Sequence, residues 1–238
     1  MSSTQSILKK STYQMKKLSN NWYIPDNDTH GLTNQTEKNF IYGLENFNSK
    51  IVNAFLKHCK RKRVFLDIGA AFGAVSRAVI NDFEEVHSFE INVESREALL
   101  LNMQSYSNSY IYAFGCGSHK DTVQLAYHNK YRNVGSILNS QFKPHFRNDR
   151  WKPNRIAKVE VRPIDKMNFK HVDAIKIDVE GYELQVLDGM KNTLKNNSPI
   201  IIVEAYNTDL LDTYMKETHQ YKRIGRIGKT DIVYKKYI

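Results

Sequence analysis

The residues of this chain best placed to do chemistry are acids that interrupt or close apolar runs. They are Asp67 in Val64-Phe65-Leu66-Asp67-Ile68, Glu90 after Val86-His87-Ser88-Phe89, Asp178 and Glu180 after Ile175-Lys176-Ile177, and Glu204 after Ile200-Ile201-Ile202-Val203. The first run leads into Gly69-Ala70-Ala71-Phe72-Gly73 and then a helix-compatible stretch that includes Ser76. A buried strand, a glycine-bearing turn and a helix start make a ligand-binding corner, because glycine accepts positive φ and lets a ligand lie against the backbone. Glu90 follows Asp67 at about the 20-residue spacing at which a carboxylate meets both vicinal hydroxyls of a ribose. The turn lacks the glycine spacing of phosphate-binding loops, and Asp67 disfavours phosphate. A cationic nucleoside without phosphate fits this pattern, and S-adenosylmethionine is such a ligand.

Methyl transfer from a sulfonium is an in-line displacement that needs an acceptor held about 3 Å from the methyl carbon and a base for its proton. Asp178 and Glu204, at the ends of their strands, are the candidate bases, with His145 as a third if its segment folds over the cofactor. Asp178 has a plainer reading as the N-cap of the following helix. Lys176 shares a strand face with Asp178, and a lysine in a buried strand needs an acid, so it reads as half of a structural ion pair with Asp178 or Glu204. Acceptor-side candidates are Asn133, Ser136, Trp151 and Glu180. The carboxylates at 178, 180 and 204 offer oxygens to a divalent cation, but no histidine with ligand spacing joins them, and no metal is expected.

The segments Asp67-Ile-Gly-Ala-Ala-Phe-Gly73, Ser88-Phe-Glu90, Ile175-Lys-Ile-Asp-Val-Glu-Gly-Tyr-Glu183 and Pro199-Ile-Ile-Ile-Val-Glu204, in this order and spacing, resemble the FkbM family of S-adenosylmethionine-dependent methyltransferases. Two positions depart from the family pattern, Ala71 where asparagine is common and Ile91 where proline is common. The resemblance implies an α/β class I methyltransferase fold, a Rossmann-like sandwich with a mostly parallel seven-stranded sheet and a terminal antiparallel hairpin. It implies O-methylation of a sugar, glycan or other small-molecule hydroxyl. Cofactor contacts then fall on Asp67, Gly69, Ala70, Phe72, Gly73, Ser76, Glu90, Ile91 and Asp178. Gly115, Cys116 and Gly117, at the end of the third strand, border the adenine.

The elements that must position these residues follow from periodicity. Residues 1–62 read as an N-terminal arm, irregular or briefly helical, and a helical cover over 36–60 with a break near Asn46 to Asn48. Residues 63–238 read as the cofactor-binding domain. Strands are expected at 64–68, 86–90, 111–114, 174–178 and 200–204, with helices after each corner, including one that Asn92 caps and one from Tyr182 to Met190. A long excursion over 121–162 holds an edge strand at 122–127, a returning strand at 159–161 and a basic aromatic segment, Phe142 to Arg155. A helix from Leu210 to His219 and a hairpin of 221–225 with 231–235 close the chain.

Composition bounds the rest. With 238 residues, 41% of them hydrophobic, the chain suits one core of ordinary size. It has no apolar run long enough to span a bilayer and no signal-peptide core near Met1, so a cytoplasmic protein is expected. Its two cysteines, Cys59 and Cys116, read as reduced thiols. The net charge of +10 fits a nucleic acid or an anionic surface, yet the basic residues are scattered over the arm, Lys57 to Arg63, the excursion and the last hairpin. An RNA ribose methyltransferase is therefore the runner-up, and a non-catalytic cofactor-binding module comes third.

Overall fold

The computed structural model describes residues 13–26, 37–128, 131–138 and 153–237. In chain order these form β1 (Met15–Lys17), β2 (Tyr23–Pro25), α1 (Glu37–His58), β3 (Val64–Ile68), α2 (Ala74–Val79), β4 (Glu85–Phe89), α3 (Val93–Met103), β5 (Ser109–Tyr112), β6 (Gly115–Cys116), β7 (Asp121–His128) and β8 (Tyr131–Leu138). They continue with β9 (Arg155–Arg162), β10 (Val172–Ile177), α4 (Glu183–Asp188), α5 (Lys191–Asn197), β11 (Ile200–Glu204), α6 (Thr208–His219), β12 (Tyr221–Ile227) and β13 (Asp231–Lys236).

The main sheet has seven strands in the order β12-β13-β11-β10-β3-β4-β5. β11, β10, β3, β4 and β5 run parallel, and β13 is antiparallel to both β11 and β12. This is the doubly wound arrangement with a terminal hairpin expected from the alternation of strands and helices. β3 is buried along its whole length, as a strand covered on both faces must be. Leu66, Ile68, Ile175 and Ile177 pack into one core with α4 and α6, while Phe65, Ala174 and Ile202 pack on the other face with Ile51 and Phe55 of α1. Period-two alternation thus feeds two cores from the same strands.

The structure departs from the sequence reading in several places. The arm is a β-hairpin, β1 with β2, because Asn20 and Asn21 take positive φ (62° and 58°) and reverse the chain, a conformation asparagine tolerates better than most residues. α1 is continuous through Asn46 to Asn48. Asn48 is buried and donates from its side chain to the Ala74 carbonyl (3.0 Å), so a residue that looked like a breaker ties α1 to the start of α2. The third strand is Ser109–Tyr112, since Gly115–Cys116 leave the main sheet to pair with Val161–Arg162. The helix expected over 182–190 breaks at Gly189, where a Cβ would lie 2.0 Å from the Gly117 carbonyl oxygen, and α5 follows.

The excursion over 121–162 is a second sheet, β6-β9-β7-β8, in which β7 pairs antiparallel with both β8 and β9. The strands expected at 122–127 and 159–161 face each other in register, Thr122 with Glu160 and Val123 with Val159. β8 is an addition that the sequence reading did not make. Among the described residues no helix is long and apolar enough to cross a membrane.

Candidate functional site

The carboxyl ends of β3, β4, β10 and β11 meet at one edge, and the candidate residues gather there. The turn after β3 is held by Gly69 and Ala70, whose amides both donate to the Phe89 carbonyl (3.0 Å each), and by the Gly73 amide on Ala70 (2.8 Å). Gly69 has φ +84°, and a Cβ there would sit 1.8 Å from the Asp178 carbonyl oxygen. Its lack of a side chain therefore serves close approach of two backbones, β3 and the loop after β10. Ala71 takes φ +48° without being glycine.

Glu90 is 7% exposed. Its Oε2 accepts from the Ala71 amide (2.7 Å) and its Oε1 from the Asn92 amide (2.6 Å). Burial pushes its carboxyl up to about 7 against these two amides, which favour the charged form. Asn92 caps α3 as expected, accepting from the Glu94 amide (3.0 Å). Asp67 is buried and accepts from Ser76 Oγ (2.5 Å), which shares a further hydrogen bond with Ser88 (2.8 Å). Burial raises the Asp67 carboxyl to about 6. Ile91 lies against Gly115, where a Cβ would come within 2.7 Å of its Cδ1, and Gly117 lies against Tyr182 and Val161. Cys116 is buried, and burial pushes its thiol well above the ordinary range.

The β10 and β11 part of the edge is built on Lys176. Its ammonium, 1% exposed, pairs with Asp231 (2.9 Å) and Asp178 (3.6 Å). Burial opposes that charge, and the carboxylates of Asp178, Asp231 and Glu204 outweigh it and raise the pKa. The expected ion pair is present, and its nearer partner is Asp231, the first residue of β13. Glu204 lies beside Asp178, and Thr230 Oγ1 donates to Glu204 Oε1 (3.1 Å). Burial first and the neighbouring Asp178 second push the Glu204 carboxyl up to about 8. Asp178 does not cap a helix, since α4 begins at Glu183 after Tyr182.

The loop after β10 carries Glu180 at φ +50° and Gly181 at φ +100°. Its turn is fixed by the Gly181 amide donating to Glu183 (2.8 Å) and by Ser136 Oγ of β8 donating to the Glu180 carbonyl (2.8 Å). Ser136 therefore ties the second sheet to the loop after β10. Arg155 of β9 pairs with Glu94 of α3 (3.5 Å), so the second sheet also touches the helix that follows Glu90. β8 includes Asn133, whose side chain lies outside the described residues, as do His145 and Trp151. Among the described residues no three His, Cys, Asp or Glu side chains are arranged to hold a metal ion.

Sequence reasoning passed over Asp231, Thr230, Glu183 and Asn102. Asp231 carried a signal, an acid opening an apolar strand that the hairpin must bring beside Glu204, its register partner.

The sequence matches the Methyltransferase FkbM domain family over residues 67–222. No curated protein sequence matches. Among solved structures, a methyltransferase FkbM from Methylobacillus flagellatus KT aligns with TM-score 0.54 and 22% identity over 73% of this chain and 43% of its own. This chain thus spans less than half of that protein. SMU.1697c from Streptococcus mutans, solved in complex with SAH, aligns with TM-score 0.50 and 8% identity over 79% of this chain and 97% of its own. At these identities the structures speak to the fold, whereas the domain match covers the glycine turn, Glu90, the paired carboxylates and the strands that carry them, so the chain is a member of the FkbM family of methyltransferases, whose methyl donor is S-adenosylmethionine.

Proposed function

We propose that this methyltransferase acts on a neutral hydroxyl, that of a sugar, a glycan or another small molecule. The observation that carries the reading is the pairing of Asp178 with Glu204 at the ends of adjacent strands, over the buried Lys176 and beside the glycine turn. An alcohol becomes a competent nucleophile when a base removes its proton as it attacks. In this reading the hydroxyl sits against the pair and its oxygen forms the new bond to carbon. The proton passes to the carboxylate pair, and Lys176 limits the negative charge the pair bears before it arrives.

The cofactor, when bound, supplies an electrophilic methyl carbon on a cationic sulfur. Residues of this chain suit such a group. Glu90 holds its carboxylate with one backbone amide on each oxygen, leaving lone pairs for two ribose hydroxyls. Ile91 on Gly115 offers an apolar edge to the adenine. Asp67, Glu90, Asp178, Glu183, Glu204 and Asp231 outnumber the cations Lys176 and Arg96 at this edge, which favours a positively charged ligand.

The same charge argues against RNA as acceptor. Phosphates near the methyl group would meet carboxylates, while Lys60, Arg61 and Lys235 line a cavity at the opposite end of the sheet with Asp173 and Ile200. His145 and Trp151 lie outside the described residues and carry none of this reading. Incubation with methyl-labelled cofactor and a panel of saccharides, polyols and RNA tests it. Label is expected on a neutral hydroxyl compound, and label on RNA alone would replace this reading with ribose methylation.

A further inference from the structure

The turn that follows β3 is gripped from two sides, and one of them belongs to the N-terminal hairpin. On the sheet side, Glu90 takes the Ala71 amide (2.7 Å) and Phe89 takes those of Gly69 and Ala70. On the other side stands Asn102, 4% exposed, near the end of α3. Its Oδ1 accepts from the Tyr23 amide (2.7 Å), and its Nδ2 donates to both the Tyr23 carbonyl (2.8 Å) and the Phe72 carbonyl (2.7 Å). One side-chain amide thus pairs with β2 as a neighbouring strand would and fastens the turn to the same point. Trp22 meets Phe72 edge to face with ring centroids 6.0 Å apart. Arg77 of α2 lies over the Trp22 ring (4.3 Å) and donates to the carbonyls of Asn21 (3.0 Å) and Asn20 (3.2 Å). Leu18, Trp22 and Ile24 are buried against Phe72, Ile41 and Ala98 in a small core of their own.

The turn needs this grip. Ala71 stands at φ +48°, where its Cβ is crowded and an alanine does not stay unless its surroundings hold it. Glu90 fixes the amide before the Ala71 α-carbon, and Asn102 with Trp22 fixes the next residue, Phe72. Release on the Phe72 side leaves Ala71 free to relax toward negative φ, which turns its amide away from Glu90.

We propose that the hairpin of residues 13–26 is a positioning clamp for the cofactor turn: through Trp22 and Asn102 it holds Phe72, and with it Ala71 in the left-handed conformation, so that Glu90 and the turn are set for the cofactor before it arrives. This rests on the reading of Gly69 to Gly73 as the cofactor turn. Trp22 and Asn102 act through Phe72, and affinity for the cofactor depends on residues that do not touch it.

The test pairs Trp22→Ala with Ala71→Asn, since asparagine occupies the left-handed region far more readily than alanine. Calorimetric titration with S-adenosylhomocysteine is expected to show about tenfold weaker binding for Trp22→Ala alone. In the Ala71→Asn background the same change is expected to cost threefold or less. Amide exchange without ligand is read alongside, and Trp22→Ala is expected to speed exchange at Ala71 to Gly73 while leaving β10 and β11 as slow as in the parent. Equal losses in both backgrounds, or unchanged exchange in the turn, would overturn the clamp. If the parent fails to bind S-adenosylhomocysteine while the exchange result holds, the cofactor reading fails and the mechanical coupling of hairpin to turn stands. A general loss of protection across the sheet would mark Trp22 as a stability residue and also overturn the proposal.

Discussion

Glu90 and Glu204 close neighbouring parts of the same sheet edge, both largely buried and both raised, yet their partners are opposites. Glu90 takes two backbone amides, which donate and so favour its anion, and it is chiefly burial that lifts it to about 7. Glu204 leans on another carboxyl, Asp178, so like charge adds to burial and takes it to about 8. A carboxylate furnished with donors is a fixed acceptor, suited to ribose hydroxyls. A carboxyl furnished with an acid is a proton store, suited to a reacting hydroxyl. In the function proposed above, the two halves of methyl transfer, holding the donor and deprotonating the acceptor, fall to two acids that differ in what they touch.

The largest effect is expected from Lys176→Met, which leaves the buried Asp231 and its half-buried neighbour Asp178 without their cation. Removing one partner of a buried pair typically costs about 3–5 kcal/mol, because the charge that remains is uncompensated. Urea unfolding should show that loss at pH 7 and less of it at pH 5, where the carboxyls can take up protons. An unchanged midpoint would mean that the acids, not the lysine, set the stability of this edge.

On the donor side, Glu90→Ala removes two charge-assisted hydrogen bonds at once and should weaken S-adenosylhomocysteine binding by roughly 2–4 kcal/mol. The pH dependence adds a second check. Because Glu90 is raised to about 7, affinity should fall as pH drops through 7 in the parent and lose that dependence in the variant. Calorimetry with equal affinities for parent and variant would take Glu90 off the ribose.

On the acceptor side, Asp178→Asn should lower turnover by roughly 10² while changing cofactor affinity no more than a few-fold, the signature of a group that acts on the reaction and not on binding. It should also move the pH profile. Turnover in the parent should rise with pH through about 8 as Glu204 gives up its proton, and without the Asp178 charge the rise should come at lower pH. A variant with parental turnover would hand the base role to Glu204 alone.

Much of this edge was legible in the sequence because single strands announce themselves. Val64 to Ile68 and Ile200 to Glu204 are apolar runs with one acid, and a parallel sheet puts such acids at one end. The glycine turn, Glu90, Asn92 as a cap and the Lys176 ion pair followed from local pattern. Other features needed the assembled chain. Asp231 reaches Lys176 only because β13 runs antiparallel beside β11. Ser136 read as an acceptor contact, whereas its hydroxyl is engaged by the Glu180 carbonyl from another sheet. Asn48 and Asn102 look like ordinary helix-surface polar residues, and their buried partners lie at Ala74, Tyr23 and Phe72, far along the sequence. Local periodicity reports which face of an element is apolar, and it is silent on which carbonyl a buried amide will meet.

The smallest expected effect is in stability. A carboxyl whose folded pKa is raised keeps its proton in the native state at pH values where the unfolded chain has released its own. The folded form then binds more protons, and stability falls as pH rises from the ordinary glutamate range toward 8. Glu204→Gln abolishes that titration and retains a hydrogen-bonding group toward Asp178. The variant should therefore melt higher than the parent at pH 8, by about 2 °C or more for a domain of this size, and the gain should shrink toward pH 4, where the unfolded chain's glutamate also takes up its proton. Turnover should fall in the same protein. A melting temperature that drops on Glu204→Gln at pH 8 would mean that the carboxylate is ionised and well paired in the folded state, and the contrast with Glu90 would collapse. A rise in stability together with a loss of turnover would identify Glu204 as a residue kept for chemistry at the expense of the fold.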